Sequence, residues 1–318
     1  MSLAPHVARL ARSGGAVDDS AAGRRHRARS RRRGAPWLLS GPAIFFLVAF
    51  HLLPVAAGTL YAFTNWSGGP SAHFTGLANF RNIFTDPSLR GALLHTLELA
   101  GSFVVLANAI GLALATGLNR AVKSRNLLRA LFFAPSALSP LAVGFVWQYI
   151  LTTNGGLNQF LGDIGLASWQ RPWLGDPAVA LWAILLVMLW QLSGLSMVIY
   201  LAGLQGVPDE LYEAAAMDGA SHWQRFRRVT FPLLGPSITI SSMLTLVTGL
   251  RVFDQIEALT GGGPVDATQT LATEVYQQTF VYGFFGQGAA LAVVLTVIIA
   301  IFAFVQLAVL VRRERRMS

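Results

Sequence analysis

Six apolar stretches dominate this chain, at about 36–63, 92–118, 128–151, 178–204, 232–253 and 287–311. Each is long enough to cross a bilayer, which takes about 20 residues as α-helix. Runs such as Ala178 to Ile199 are apolar on every face instead of alternating. In lipid the backbone must satisfy its own hydrogen bonds, so these runs read as helices. The whole chain is 53% hydrophobic and only 12% charged, too apolar for a soluble globular domain of 318 residues. The expected fold class is therefore all-α integral membrane with six transmembrane helices.

Charge placement predicts which side each loop faces. Nine of the 24 Lys and Arg residues precede the first span, four lie between spans two and three, three between spans four and five, and four follow span six. Only Arg81, Arg90, Arg171 and Arg251 lie elsewhere. The positive-inside rule then puts both termini and the loop after span four in the cytoplasm, and an even number of spans agrees with that. The net charge of +9 is explained by basic flanks near anionic lipid, with no aromatic-rich basic fold to suggest nucleic acid. With no cysteine, disulfides, thiol catalysis and Cys-based metal sites are excluded. His51 and His95 lack acidic or His neighbours at ligand spacing, so no metal site is expected. Residues 1–35, rich in Arg, Ser, Ala and Gly, read as a disordered basic cytoplasmic tail and do not match a signal peptide. Residues 36–316 form one membrane domain. Pro54 interrupts span one, and Pro135 and Pro140 interrupt span three; in membrane helices such prolines mark bends. Trp169 and Trp173, in the loop before span four, read as interface anchors.

The segment of about 205–231, between spans four and five, is polar and patterned. It reads Glu213-Ala214-Ala215, three residues, Gly219, nine residues, then Val229-Thr230-Phe231-Pro232. Pro208 suits the first position of a helix. Asp209, Glu210 and Glu213 place negative charge near its positive end. Ala214, Ala215 and Ala216 form helix readily and carry little bulk. Asp218-Gly219 offers a turn, and Ser221 with Gln224 makes a capping box that opens a second helix. The reading is two short helices joined at Gly219, suited to insertion into a partner's groove, with an amphipathic interfacial linker as the plainer alternative.

This spacing resembles the cytoplasmic coupling loop of binding-protein-dependent ABC importers. From about 36 to 316 the chain is similar to permeases of the maltose-type sugar importers, and within them to the subunit bearing a Gly-Gly-Pro element after span five, here Gly261-Gly262-Gly263-Pro264. Gly76-Leu77-Ala78-Asn79-Phe80, Gly156-Leu157-Asn158, Val252-Phe253-Asp254-Gln255 and the Tyr276 and Phe280 pair fit in order. Phe231, where the family pattern usually has Leu, keeps the position apolar. The resemblance implies a multi-pass permease of the bacterial inner membrane that works by alternating access. It implies a second permease subunit in a heterodimer, two ATPase subunits that bind ATP and Mg, an extracytoplasmic solute-binding protein and a sugar substrate. It assigns Glu213, Ala214, Ala215, Asp218, Gly219 and Pro232 to ATPase coupling. No GxxxxGK[ST] string occurs, so no cofactor and no catalytic residue are expected in this chain.

A sugar pathway calls for uncharged hydrogen-bonding groups, and polar side chains within spans face the bundle or a water-filled cavity. Ser136, Ser139 and Gln148 in span three, Gln191 and Ser193 in span four, and Thr245 and Thr248 in span five are the candidates. Each hydroxyl has helix packing as its plainer role. Similarity to the family adds Gly249, Arg251 and Asp254, the last two with an interfacial ion pair as the alternative. An amino sugar or a glycerol-phosphate remains open as the solute. An ion-driven secondary transporter would call for intramembrane carboxylates or inverted repeats, and a membrane enzyme for an acidic or metal-binding constellation. The chain offers neither.

Overall fold

The computed structural model describes residues 35–119 and 124–314; the expected basic tail lies outside them. Among the described residues the chain is helical, with one isolated bridge, Thr64 to Phe74. It divides into two units at Ala57 and Gly58.

Helix α1 runs through Ala35–Leu47, a π-helical turn at Val48–Leu52, and Leu53–Tyr61. In the turn Leu53 N–H bonds to the carbonyl of Val48. Widening the helix just before Pro54 absorbs a residue that cannot donate and that crowds the carbonyl four residues back. Pro54 therefore interrupts nothing: Ser40–Tyr61 is one apolar helix. Phe45, Phe46 and Phe50 are exposed along it.

In the second unit, α2 (Ala78–Thr85) leads into α3 (Pro87–Leu118). Asp86 caps α3 by accepting from the backbone N–H of Ser88 and Leu89, with Pro87 in the first turn where its missing N–H costs nothing. α4 (Arg125–Ala137) and α5 (Pro140–Leu151) meet at a bend of 98° and are together long and apolar enough for one span. α6 (Gly156–Asp163) follows, then α7 (Ala180–Gln205). α8 (Asp209–Met217) and α9 (His222–Leu233) lie in the patterned loop, and α9 meets α10 (Gly235–Leu250) at 70°. Short helices α11 (Asp254–Leu259) and α12 (Leu271–Tyr276) precede α13 (Phe285–Glu314). Among the described residues, four helices are long and apolar enough to cross, six when each bent pair counts as one span.

α7 is the axis of the bundle. Of its most apolar window 67% is buried, against 17% for α13, as expected of a helix apolar all round. It packs along α3, α4 and α10, while α5 packs on α11 and α13 on α10 and α12. Leu99 and Phe103 of α3 join Ile184 and Met188 of α7 and Ile256 of α11 in one core. Ala115, Met197, Tyr200 and Leu234 form a second core nearer the patterned loop. Trp173, expected at the interface, is instead pinned inward: its indole N–H donates to Asn158 Oδ1 at 2.8 Å and its ring packs on the first core. Trp169 is exposed.

Candidate functional site

The patterned loop folds from local rules. α8 begins one residue later than the sequence suggests. Pro208 has an extended ψ of 133° and is its N-cap, so Asp209 and Glu210 fill the first turn at the positive end of the helix. At the other end Gly219 has φ +73°. Its N–H bonds to Ala216 O, and that of Ala220 to Ala215 O, both at 3.0 Å. These two bonds, with a left-handed residue just past the cap, make a Schellman motif. The spacing from Glu213-Ala214-Ala215 to Gly219 is thus the length of one helical turn and its stop signal. A Cβ on Gly219 meets nothing within 4 Å, so the requirement for glycine is one of backbone conformation alone.

Ser221 then caps α9 with both arms of the capping box in place. α9 widens into a π turn at Phe226–Thr230, where Phe231 N–H bonds to Phe226 O just before Pro232. This repeats the device seen before Pro54. Tyr212 and Thr230 hydroxyls lie 3.1 Å apart and pin α8 to α9. Glu213, Ala214, Ala216, Asp218 and Gly219 are exposed, while Ala215 and Pro232 are half-buried. Met217 is 85% exposed and Trp223 67%. The result is a stiff, small-residue elbow with apolar side chains turned outward, the form of a surface made to be covered.

The candidate pathway residues separate into groups. Gln191 is fully buried; its Nε2 donates to Leu138 O at 3.1 Å and its Oε1 accepts from Gln255 at 3.3 Å. Leu138 is where the α4–α5 span breaks, so Gln191 satisfies a carbonyl beside that break. Gln148 donates to Leu259 O at 3.4 Å and ties α5 to α11. Ser136 bonds back to Phe133 O, and Ser193 is buried. Ser139 borders an apolar cavity of 230 Å³ with Trp147 and Trp190. Thr245 and exposed Thr248 border a small cavity of 20 Å³ beside the buried Ser241. Gly249 is buried where α10 meets α3, and a Cβ there would sit 2.9 Å from Ala100 Cα. α10 ends at Leu250, earlier than expected, leaving Arg251 exposed in the turn to α11 and Asp254 exposed as the first residue of α11.

Sequence reasoning misses a polar chain through the bundle. Tyr200 Oη donates to Asn108 Oδ1 at 2.7 Å, and Asn108 Nδ2 donates to Thr245 Oγ1 at 2.9 Å, linking α7, α3 and α10. The argument that singles out Gln191, a lone amide within a span, applies equally to Asn108.

A helical bundle with broken spans and one stiff exposed elbow defines an integral membrane permease. The family of binding-protein-dependent transport system inner membrane components matches residues 107–316, and the chain belongs to it. It is a multi-pass inner-membrane transport component, not an enzyme. It is 34% identical over 281 residues to the probable starch degradation products transport system permease protein AmyD of Thermoanaerobacterium thermosulfurigenes, covering 88% of this chain and 95% of the relative. It is 35% identical over 272 residues to the multiple sugar-binding transport system permease protein MsmF of Streptococcus mutans, covering 85% and 93%. The fold matches a chain of a bacterial ABC transporter involved in import of the acidic polysaccharide alginate, with TM-score 0.75 and 22% identity over 92% of this chain and 99% of that one. A bacterial alginate ABC transporter in complex with its pentasaccharide-bound periplasmic protein matches with TM-score 0.71 and 23% identity, over 88% and 93%.

Proposed function

We propose that the chain is the permease subunit of an ATP-driven importer for a di- or oligosaccharide or a related sugar, and that the Glu213–Gly219 elbow is its drive point. The observation that carries this reading is the elbow itself: α8, stopped by Gly219, is pinned to α9 by Tyr212 and Thr230 and exposes its Glu and Ala face. A rigid element transmits displacement; a flexible linker would absorb it. The elbow faces the cytoplasm, where it seats on one of two ATPase subunits that hold ATP and Mg. Closure of the ATPases moves α8 and α9, and with them α10 and the bundle behind it. A second permease subunit rocks against this one, and a solute-binding protein delivers sugar from the other side. The sugar names carried by the relatives support the solute class. Among the candidate pathway residues Thr248, exposed on α10 beside Ser241 and Thr245, is the best placed to meet solute, whereas Gln191 and Gln148 are engaged in helix contacts.

Mild-detergent purification of the tagged chain from its host, with mass spectrometry of what comes with it, tests this. A P-loop ATPase and a second permease are expected, and both are lost with Gly219→Pro or Glu213→Arg while the chain still inserts. A chain recovered alone that moves solute on an ion gradient overturns the reading.

A further inference from the structure

A large cavity lies at the end of the bundle opposite the Gly219 elbow. It holds 1270 Å³ and opens where α2, the start of α3, the loop after α11 and the α12 region converge. Its walls carry three carboxylates, Asp86, Asp266 and Glu274, together with amides such as Asn82 and Gln278 and the ring of Trp66. Among the described residues no Lys, Arg or His lines it.

These acids are only partly engaged. Asp86 accepts from two backbone N–H groups at the start of α3. Asp266 accepts from Ser88 at 3.2 Å. Glu274 is only 4% exposed, and Gln278 donates to its Oε2 at 3.2 Å. A recessed carboxylate with two further acids on the same cavity wall is favoured by a positive group that joins it. Its carboxyl is held above the usual carboxylate range, by burial first and then by Asp266 and Asp86.

A metal ion does not fit: among the described residues no three His, Cys, Asp or Glu side chains are grouped to hold one. An ammonium or guanidinium on a flexible stem does fit, because it reaches a recessed acid while amides and an aromatic face surround it. The cavity has room for the loop that carries it. We propose that this cavity receives a lysine or arginine side chain presented by the solute-binding protein, so that charge pairing at Glu274 and Asp266 seats that protein on the permease. The inference rests on the importer reading above. It adds a predicted sign, positive on the binding protein at this contact, and a salt-dependent docking step.

The test uses the complete transporter in nanodiscs and the purified solute-binding protein encoded with it. ATPase activity is followed against binding-protein concentration at low and high salt. Glu274→Gln with Asp266→Asn is expected to raise the half-saturating concentration at least about tenfold, leave maximal stimulation unchanged, and flatten the salt dependence. Asp266 is exposed at φ +60°, a conformation that Asn also tolerates, so Asp266→Asn alone is expected to act in the same direction. Unchanged half-saturation and salt dependence in these variants, with the wild type responding normally, overturn the proposal and leave the importer reading intact. Variants that instead shift only the solute dependence at saturating binding protein make the cavity a solute site, which also overturns it. A wild-type complex that the binding protein does not stimulate overturns the importer reading beneath it.

Discussion

Gly219 and Glu274 show how single residues carry different kinds of constraint. At Gly219 the constraint is a dihedral, φ +73° with open space beyond. Asn tolerates that region better than β-branched residues do, so Gly219→Asn is expected to keep solute-stimulated ATPase activity in the reconstituted complex. Gly219→Val is expected to cost about 1–2 kcal/mol at the elbow and to depress that activity several-fold. At Glu274 the constraint is electrostatic. Burial first, and then Asp266 and Asp86, hold its carboxyl above the ordinary glutamate value. Between the ordinary and the raised value the folded chain therefore binds more protons than the unfolded chain. By linkage its contribution to stability is fully present below the ordinary glutamate value and is lost as pH rises through the raised one. Melting of the detergent-solubilised protein across pH is expected to show this loss in the wild type and a flatter profile in Glu274→Gln; parallel profiles would contradict the assignment.

Each helix in the bundle is shaped by how its break is repaired. Before Pro54 and Pro232 the helix widens into a π turn, and the preceding residue bonds five positions back. At the 98° break after Leu138 the repair comes from another helix, through Gln191. Gln191→Leu leaves Leu138 O unpaired inside the bundle, and the expected loss is about 1–3 kcal/mol of stability, read as a lower melting temperature with or without solute. A residue whose task was solute contact would change the KM for transport at unchanged melting temperature. The same distinction applies to Gly249. A Cβ added there would come within 2.9 Å of Ala100 Cα, which marks a helix contact of the small-residue type that any larger side chain forces apart.

For the molecule as a whole, the proposed function implies a division of labour. The chain has no phosphate-binding loop, yet it presents a stiff elbow at one end of the bundle and an acidic cavity at the other. Purified alone it is expected to show no ATP hydrolysis above background, and to acquire it when the ATPase subunits and second permease are added. Glu213→Arg is expected to reduce that gain without changing the hydrolysis of the isolated ATPases. Measurable hydrolysis by the chain alone would overturn this division.

What can be read along the chain is what near neighbours settle between them. The apolar blocks specify spanning helices because lipid leaves the backbone no other way to pair. The elbow is legible because a Schellman stop and a capping box each close within six residues, from Ala215 to Ala220 and from Ser221 to Gln224. Its helix start is misplaced by one residue at Pro208, where ψ decides and composition is silent. Contacts joined at long range come from packing alone. Asn108 meets Thr245 across 137 positions, Gln191 meets Gln255 across 64, and Asp266 reaches Ser88 across 178. A polar residue in a span has to find a partner or water, and sequence shows that need. Which partner answers it depends on helix rotation and packing, fixed by side-chain contacts that no local pattern encodes. That is why Gln191 stands out as a pathway residue yet sits in a helix contact, and why Asp86, far in sequence from Asp266 and Glu274, meets them at one cavity only in the fold.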